Sequence, residues 1–406
     1  MQYACIRHYP AKSMPLKPSE IRAILSAKQD QFSAFDLDLS NELKLYRQAL
    51  GVYSRKPPTL LQQDLVDVDC PGARPLEPFP ARDWIYPARL EWESREESLA
   101  WVRDRLSGVT TFAVDGSQVF PSKDISMPVA LVQIGWFLNP HLSAGEYEKD
   151  VRVDVLSPQE LQRYSQIRPL DRQVSMHRFE MEVKRLIEFM ADHAGCSTCL
   201  AFFDGSLVAS FAEVLDLDCR IFYAFQFVEL LRASERYQVP LVGYVDTSNA
   251  RDLVDMLAYL GELPEAKSVK DVQLFGGRMN WGDRTPLFRC DRAGTARTEG
   301  ILSQYEEQAE AITFTYLQAN NGRPVRLELP KWIYEAGLLD SVMDYVRAEI
   351  IVGSGYPYAI ETADQVAVIR ANDRQLFYRL LQDWATTEDL NLRFSRKMIS
   401  KVFRRR

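Results

Sequence analysis

Two short runs of this 406-residue chain carry the residue types best suited to chemistry. Val109-Thr-Thr-Phe-Ala-Val-Asp-Gly-Ser-Gln118 is apolar and β-rich up to Asp115-Gly116-Ser117, and Ala201-Phe-Phe-Asp-Gly-Ser-Leu207 repeats the unit around Asp204. A strand end holds a carboxylate rigidly, and the glycine after it lets a ligand approach the backbone. Two such carboxylates side by side in one sheet would make a site for a divalent ion. Taken singly, Asp-Gly is equally a hairpin signal; the repeat of the whole unit favours the site.

A pair of ions about 4 Å apart needs three or four hard oxygen donors. The helical stretch between the two aspartates offers Glu180 and Glu182, which flank its apolar face at equivalent angles, so spacing does not choose between them. Further on, Glu361 and Asp364 share a helical face, with Asp364 set among Ala363, Val366 and Ala367. Each of these acids would otherwise be an ordinary solvated side chain.

Other chemistries lack their residues. There is no Walker loop, dinucleotide fingerprint, Gly-x-Ser-x-Gly elbow or His-Glu-x-x-His. Four histidines, at 8, 141, 177 and 193, give poor support to a triad or a zinc site. Cys196-Ser-Thr-Cys199 has metal or redox spacing but no second ligand pair, and Cys199 reads as a small hydrophobe opening a strand. Six cysteines over this length fit a reducing compartment, no stretch is long and apolar enough to span a bilayer, and the start lacks a signal-peptide pattern. Cytoplasm is therefore the expectation. A net charge of −7 argues against a protein that coats nucleic acid, but Arg393 to Arg406 carries seven basic residues and no acid. That terminus reads either as a phosphate contact or as a solvated tail.

The pattern predicts an α-helical leader with a Pro-rich loop over residues 1–95, the loop covering Ser54–Pro87. The main domain follows over 96–385, then a basic tail over 386–406. Within the main domain the order is three strands in an antiparallel meander, a helix over Val174–His193, a strand, a helix, and a strand over Pro240–Val245. This βββαβαβ order describes an α/β fold, a ribonuclease H-like mixed sheet flanked by helices, with a helical C-terminal segment. In it the first and fourth strands lie adjacent and parallel, which makes Asp115 and Asp204 neighbours across 89 residues. Residues 262–300 read as irregular, and Trp332–Glu349 as one helix.

The ordered set Phe112-Ala-Val-Asp-Gly-Ser117, Phe202-Phe-Asp-Gly-Ser-Leu207, Leu241-Val-Gly-Tyr-Val245, Trp281-Gly-Asp-Arg-Thr285, Pro324-Val-Arg-Leu-Glu-Leu-Pro330 and Gly355-Tyr-Pro-Tyr-Ala359 resembles the NurA family of prokaryotic DNA-end-resection nucleases. The resemblance implies a Mn²⁺-dependent 5′→3′ exonuclease, often with single-strand endonuclease activity, in double-strand break repair; hard oxygen ligands would take Mg²⁺ as well. It also implies a homodimer working on DNA ends with a HerA-type hexameric translocase. Carried over by residue, Asp115, Glu182, Asp204 and Asp364 would bind metal, with Glu180 close behind Glu182, and Tyr244 would be the site tyrosine. The chain departs from the family in reading Ala363-Asp364 where an Ala-His pair is usual, and in Asp246 where many relatives carry lysine. A catalytically silent relative that binds DNA ends or the translocase is the alternative, and an enzyme acting on RNA or a hybrid a third possibility.

Overall fold

A computed structural model describes residues 16–80, 83–142, 145–162, 169–293 and 300–396. Nine strands form one sheet: β1 (Pro71–Pro75), β2 (Thr110–Val119), β3 (Ala130–Asn139), β4 (Glu148–Leu156), β5 (Cys199–Asp204), β6 (Leu241–Val245), β7 (Phe288–Arg292), β8 (Ile312–Leu317) and β9 (Val325–Pro330). Their spatial order is β1-β7-β8-β9-β6-β5-β2-β3-β4. The β4-β3-β2-β5-β6 half is the expected core. β2, β3 and β4 form the antiparallel meander, and β5 runs parallel to both β2 and β6. The remaining four strands extend it with antiparallel pairs.

The helices are α1 (Pro18–Ala27), α2 (Gln29–Tyr53), α3 (Pro58–Asp64), α4 (Arg95–Leu106), α5 (Pro158–Gln162), α6 (Leu170–Asp192), α7 (Leu217–Tyr237), α8 (Asp252–Leu260), α9 (Asp271–Phe275), α10 (Trp332–Glu335), α11 (Leu339–Val352), α12 (Tyr358–Ala367) and α13 (Ala371–Thr387). Two apolar cores lie on opposite faces of the sheet. On one face Phe179, Val183, Leu186 and Met190 of α6 pack with Phe227 and Leu231 of α7. On the other, Phe137, Phe202 and Tyr244 pack with Val342, Val346 and Ala363 of α11 and α12. Strand alternation sorts the residues of β2 between them: Phe112 stacks on Phe189 of α6, while Thr111 and Ser117 bond to Glu349 and Ala367.

Several expected boundaries move. The Pro-rich stretch is not all loop, for it holds α3 and β1, and Trp84 is fully buried. β1 pairs only with β7, and an edge strand tolerates prolines at its two ends. Residues 262–300 contain α9 and β7, whose charges hid its alternation: Asp291 pairs with Arg74 of β1, while Phe288 and Cys290 are buried. The predicted helix over Trp332–Glu349 is two helices, divided around Gly337. Cys199 is buried as expected, but it is disulfide-bonded to Cys196 rather than a thiol; the turn brings the two Cα atoms to 5.4 Å, within disulfide reach. The chain around 390–396 is docked, not loose: Phe394 bridges Ile125, and Ser395 N–H donates to Asp124 O at 2.7 Å. Among the described residues no helix is long and apolar enough to cross a membrane.

Candidate metal-binding acidic site

β2 does not end at Asp115 as expected but runs on to Val119. What ends there is its pairing with β5, last recorded at Ala113 opposite Phe202, so in register Asp115 comes opposite Asp204. Alternation aims Asp115 to the α12 face, and Asp204, two residues beyond Phe202, to the same side. Asp204 also pairs with Tyr244 of β6. The two Asp-Gly units differ in why they need glycine. Gly205 has φ +138, which side chains rarely adopt. Gly116 lies under α6, where a Cβ would collide with Glu182 Oε1 and Arg178 Cγ. Helix packing, not ligand approach, therefore accounts for Gly116.

The turn after Asp204 is tied to a buried charge network. Glu328 of β9 accepts the Leu207 N–H at 2.6 Å and the Ser206 hydroxyl at 2.8 Å, and its other oxygen accepts from Arg326 Nε at 2.7 Å. Arg326 pairs in turn with Asp252 at 2.7 Å. Such a network contributes more to a unique geometry than to stability, because desolvation offsets much of its Coulomb energy.

The structure separates the two helix glutamates. Glu180 is paired at the surface with Lys184 at 2.6 Å. Glu182 is 7% exposed and reaches β2 from the α6 face. Its Oε1 lies 2.9 Å from Arg178 Nη1, an ion pair without hydrogen-bond alignment. Burial pushes the Glu182 carboxyl up to about 8, against Arg178 and with help from Asp115 and Asp204. Arg178 is a site residue the sequence reading missed: it donates to Gly116 O at 2.9 Å and stands 4.0 Å from Asp115. An arginine one turn before a glutamate on an amphipathic helix carries no signal of its own.

Asp115 is pushed up to about 6, first by burial, then by the charges of Asp364 and Asp204, with Gly116 N–H and Arg178 opposing. Asp204 is also raised, by crowding around its carboxyl and by Asp364 and Asp246. Asp364 thus faces both aspartates electrostatically, but it is exposed on α12 rather than buried on an apolar stripe. Ala363 and Ala367 take the buried positions beside it. Glu361 is exposed and engaged by Gln365 at 3.3 Å.

Two tyrosines lie beside Asp204. Tyr244 is fully buried in the core, and its hydroxyl has no hydrogen-bond partner among the described residues. Tyr356 instead donates its hydroxyl to Asp204 Oδ1 at 2.8 Å, its ring packed edge-on against Tyr244 at 4.9 Å. Burial and the Asp204 charge raise the Tyr356 phenol, so it stays a donor at neutral pH. Tyr356→Phe, which keeps the ring contact, should raise the Mn²⁺ concentration for half-maximal cleavage about tenfold with the melting temperature unchanged. Tyr244→Phe should leave that concentration alone. The reverse pair of outcomes in a metal titration would return the role to Tyr244.

The donor set suits a hard divalent cation. It is all oxygen, burial and then neighbouring acids raise Asp115, Glu182 and Asp204, and one buried carboxylate oxygen lacks a hydrogen bond. As the side chains stand, no three His, Cys, Asp or Glu among the described residues converge on one point. The arrangement of β2 accounts for this: Asp115 lies on the α12 face and Glu182 behind the strand on the α6 face, with Arg178 between them.

Residues 109–369 match the NurA domain family. Among curated proteins nothing matches. A solved structure, the catalytic domain of human Endonuclease V, aligns at 15% identity and a TM-score of 0.30, over 70% of this chain and 89% of that one.

Proposed function

Since the chain belongs to the NurA family and is a nuclease by that membership, we propose that it cleaves DNA at Asp115, Asp204, Glu182 and Asp364 with Mn²⁺, or Mg²⁺ in its place. The observation that carries the proposal is the facing of Asp115 and Asp204 from parallel β2 and β5, both raised by burial and then by neighbouring acids. Bound divalent metal would supply an activated water and a charge that steadies the leaving oxygen. The chain's own residues do the rest. Tyr356 orients Asp204, Glu328 fixes the turn behind it, and Arg178 balances Glu182 and Asp115.

By the family resemblance the polarity is 5′→3′ from a DNA end, with single-strand endonuclease activity alongside. The same resemblance gives a homodimer serving double-strand break repair with a HerA-type translocase, and the cytoplasmic location is the expectation read from composition. Exposed Ile21, Ile24, Phe32 and Phe35 on α1 and α2 support an apolar surface for self-association. End-labelled single- and double-stranded DNA incubated with Mn²⁺, Mg²⁺ or EDTA tests the reading, and cutting unaffected by EDTA would end it.

Asp364 stands where the family carries histidine, and at an exposed position either residue can reach the metal. Asp364→Ala should raise the Mn²⁺ requirement by 10-fold or more, on the scale of about 10–100-fold for weakened metal ligation. Asp364→His should keep cleavage within about tenfold of the parent and accept softer ions more readily. An Asp364→Ala protein that cuts like its parent at limiting Mn²⁺ would remove Asp364 from the site.

A further inference from the structure

Beyond Asp115 the strand leads into a second feature. β2 continues through Gln118 to Val119, where an open cleft of about 470 Å³ is lined by Gln118, Phe120, Lys123, Arg374 and Tyr378 among others. Three residues of extended strand separate Gln118 from Asp115, roughly 10 Å. Ser117 anchors the opposite wall, because its hydroxyl donates to Ala367 O and accepts the Ile369 N–H at 3.0 Å, just before α13 begins.

Lys123 and Arg374 are exposed and have no ion pair among the described residues, unlike Arg232, Arg284 and Arg326. The nearest acids are engaged: Asp124 accepts the Ser395 hydroxyl at 2.8 Å and Asp373 accepts the Arg370 N–H at 2.9 Å. Phe120 is 37% exposed, and the Tyr378 ring lines the same cleft. A third observation joins these two. The basic terminus starts at this place, with Phe394 bridging Ile125, the Phe394 ring 6.5 Å from Tyr378, and Ser126 N–H donating to Arg393 O at 2.9 Å. Arg393 and Arg396, the first two of the seven basic residues in 393–406, belong to this docked stretch in a chain whose net charge is −7; residues 397–406 lie outside the described residues.

We propose that this cleft seats single-stranded DNA next to the phosphate being cut. Lys123, Arg374 and the docked Arg393–Arg396 stretch take backbone phosphates, and Phe120 and Tyr378 stack an unpaired base. Cations along a groove with rings to receive bases are the chemistry that binds single strands without reading sequence. The inference rests on the nuclease reading of the acidic site and adds where the strand lies relative to it.

The test uses the full chain in EDTA and a fluorescently labelled single-stranded oligonucleotide, with anisotropy read across a series of salt concentrations. The double variant Lys123→Ala/Arg374→Ala should bind about tenfold more weakly at 0.1 M salt. Its log–log salt slope should be shallower by about 1.4, or about 0.7 for each lost phosphate contact. Phe120→Ala/Tyr378→Ala should lose at least about fivefold in affinity with the slope unchanged, because stacking releases no counterions. Arg374→Lys should keep the slope, which separates lost charge from damaged packing. If the parent cuts DNA while the double variant keeps full affinity and slope, the cleft is off the strand's path and the nuclease reading stands. If the parent neither binds nor cuts DNA, both fall. Polyglutamate displacing the oligonucleotide as well as unlabelled DNA does would make the patch a site for acidic protein and overturn the assignment.

Discussion

Asp115→Asn should lower Mn²⁺-dependent DNA cleavage by about 10³-fold or more, since it removes a charged oxygen that no neighbour can replace. The substitution keeps the shape of the side chain. Arg178 keeps Glu182 and Gly116 O as partners, so the protein should melt within about 2 °C of the parent. Asp204→Asn should behave the same way, with its amide oxygen still able to accept from Tyr356. End-labelled substrate and gel readout measure both variants against the parent at saturating Mn²⁺. Cleavage within tenfold of the parent by either one would show that the acids gathered here are not where the reaction occurs.

Where the sequence was legible, a local pattern and a topological rule pointed the same way. The apolar–Asp-Gly-Ser unit marks two strands, and the βββαβαβ order then forces those strands to be parallel neighbours, as β2 and β5 are. The failures come from residues whose role is fixed by a partner far along the chain. Tyr356 and Tyr244 both lie in quoted motifs, yet which one touches Asp204 depends on how α11 and α12 close over β6. Glu180 and Glu182 were equivalent on a helical wheel; the approach of α6 to Gly116, together with Lys184 one turn on, separates them. Arg178 and Glu328 were invisible because an arginine on a helix and a glutamate in an alternating strand are ordinary until the opposing element is in place. Asp364 shows the converse: a helical stripe reads as buried, but the helix edge that carries the acid faces solvent.

Glu182→Gln should act on stability and activity in opposite directions. In the metal-free protein the carboxyl of Glu182 holds its proton up to about 8, against an ordinary value of 4.5. The folded state therefore binds that proton more tightly than the unfolded state. The stabilisation is fully present below pH 4.5 and is lost as pH rises through about 8. Each unit of difference corresponds to about 1.36 kcal/mol, so the full window amounts to roughly 3–5 kcal/mol for a group this buried. Glutamine carries no such titration. In EDTA the variant should match the parent near pH 5 and melt about 2–5 °C above it near pH 8.5. Asp115, pushed up to about 6, titrates in both proteins and interacts with Glu182 through its charge, so the difference between them reads Glu182 together with its effect on Asp115. Added Mn²⁺ should reverse the order, because an ion that binds only the folded parent raises its stability by mass action while the variant has lost a ligand. Cleavage by the variant should fall by about 10²-fold or more. Differential scanning fluorimetry across pH, with EDTA and then with Mn²⁺, reads the whole pattern. Parallel melting curves for the two proteins at every pH would mean that Glu182 is neither buried as a proton-holding acid nor poised for metal, and the four-carboxylate site would lose its helix member.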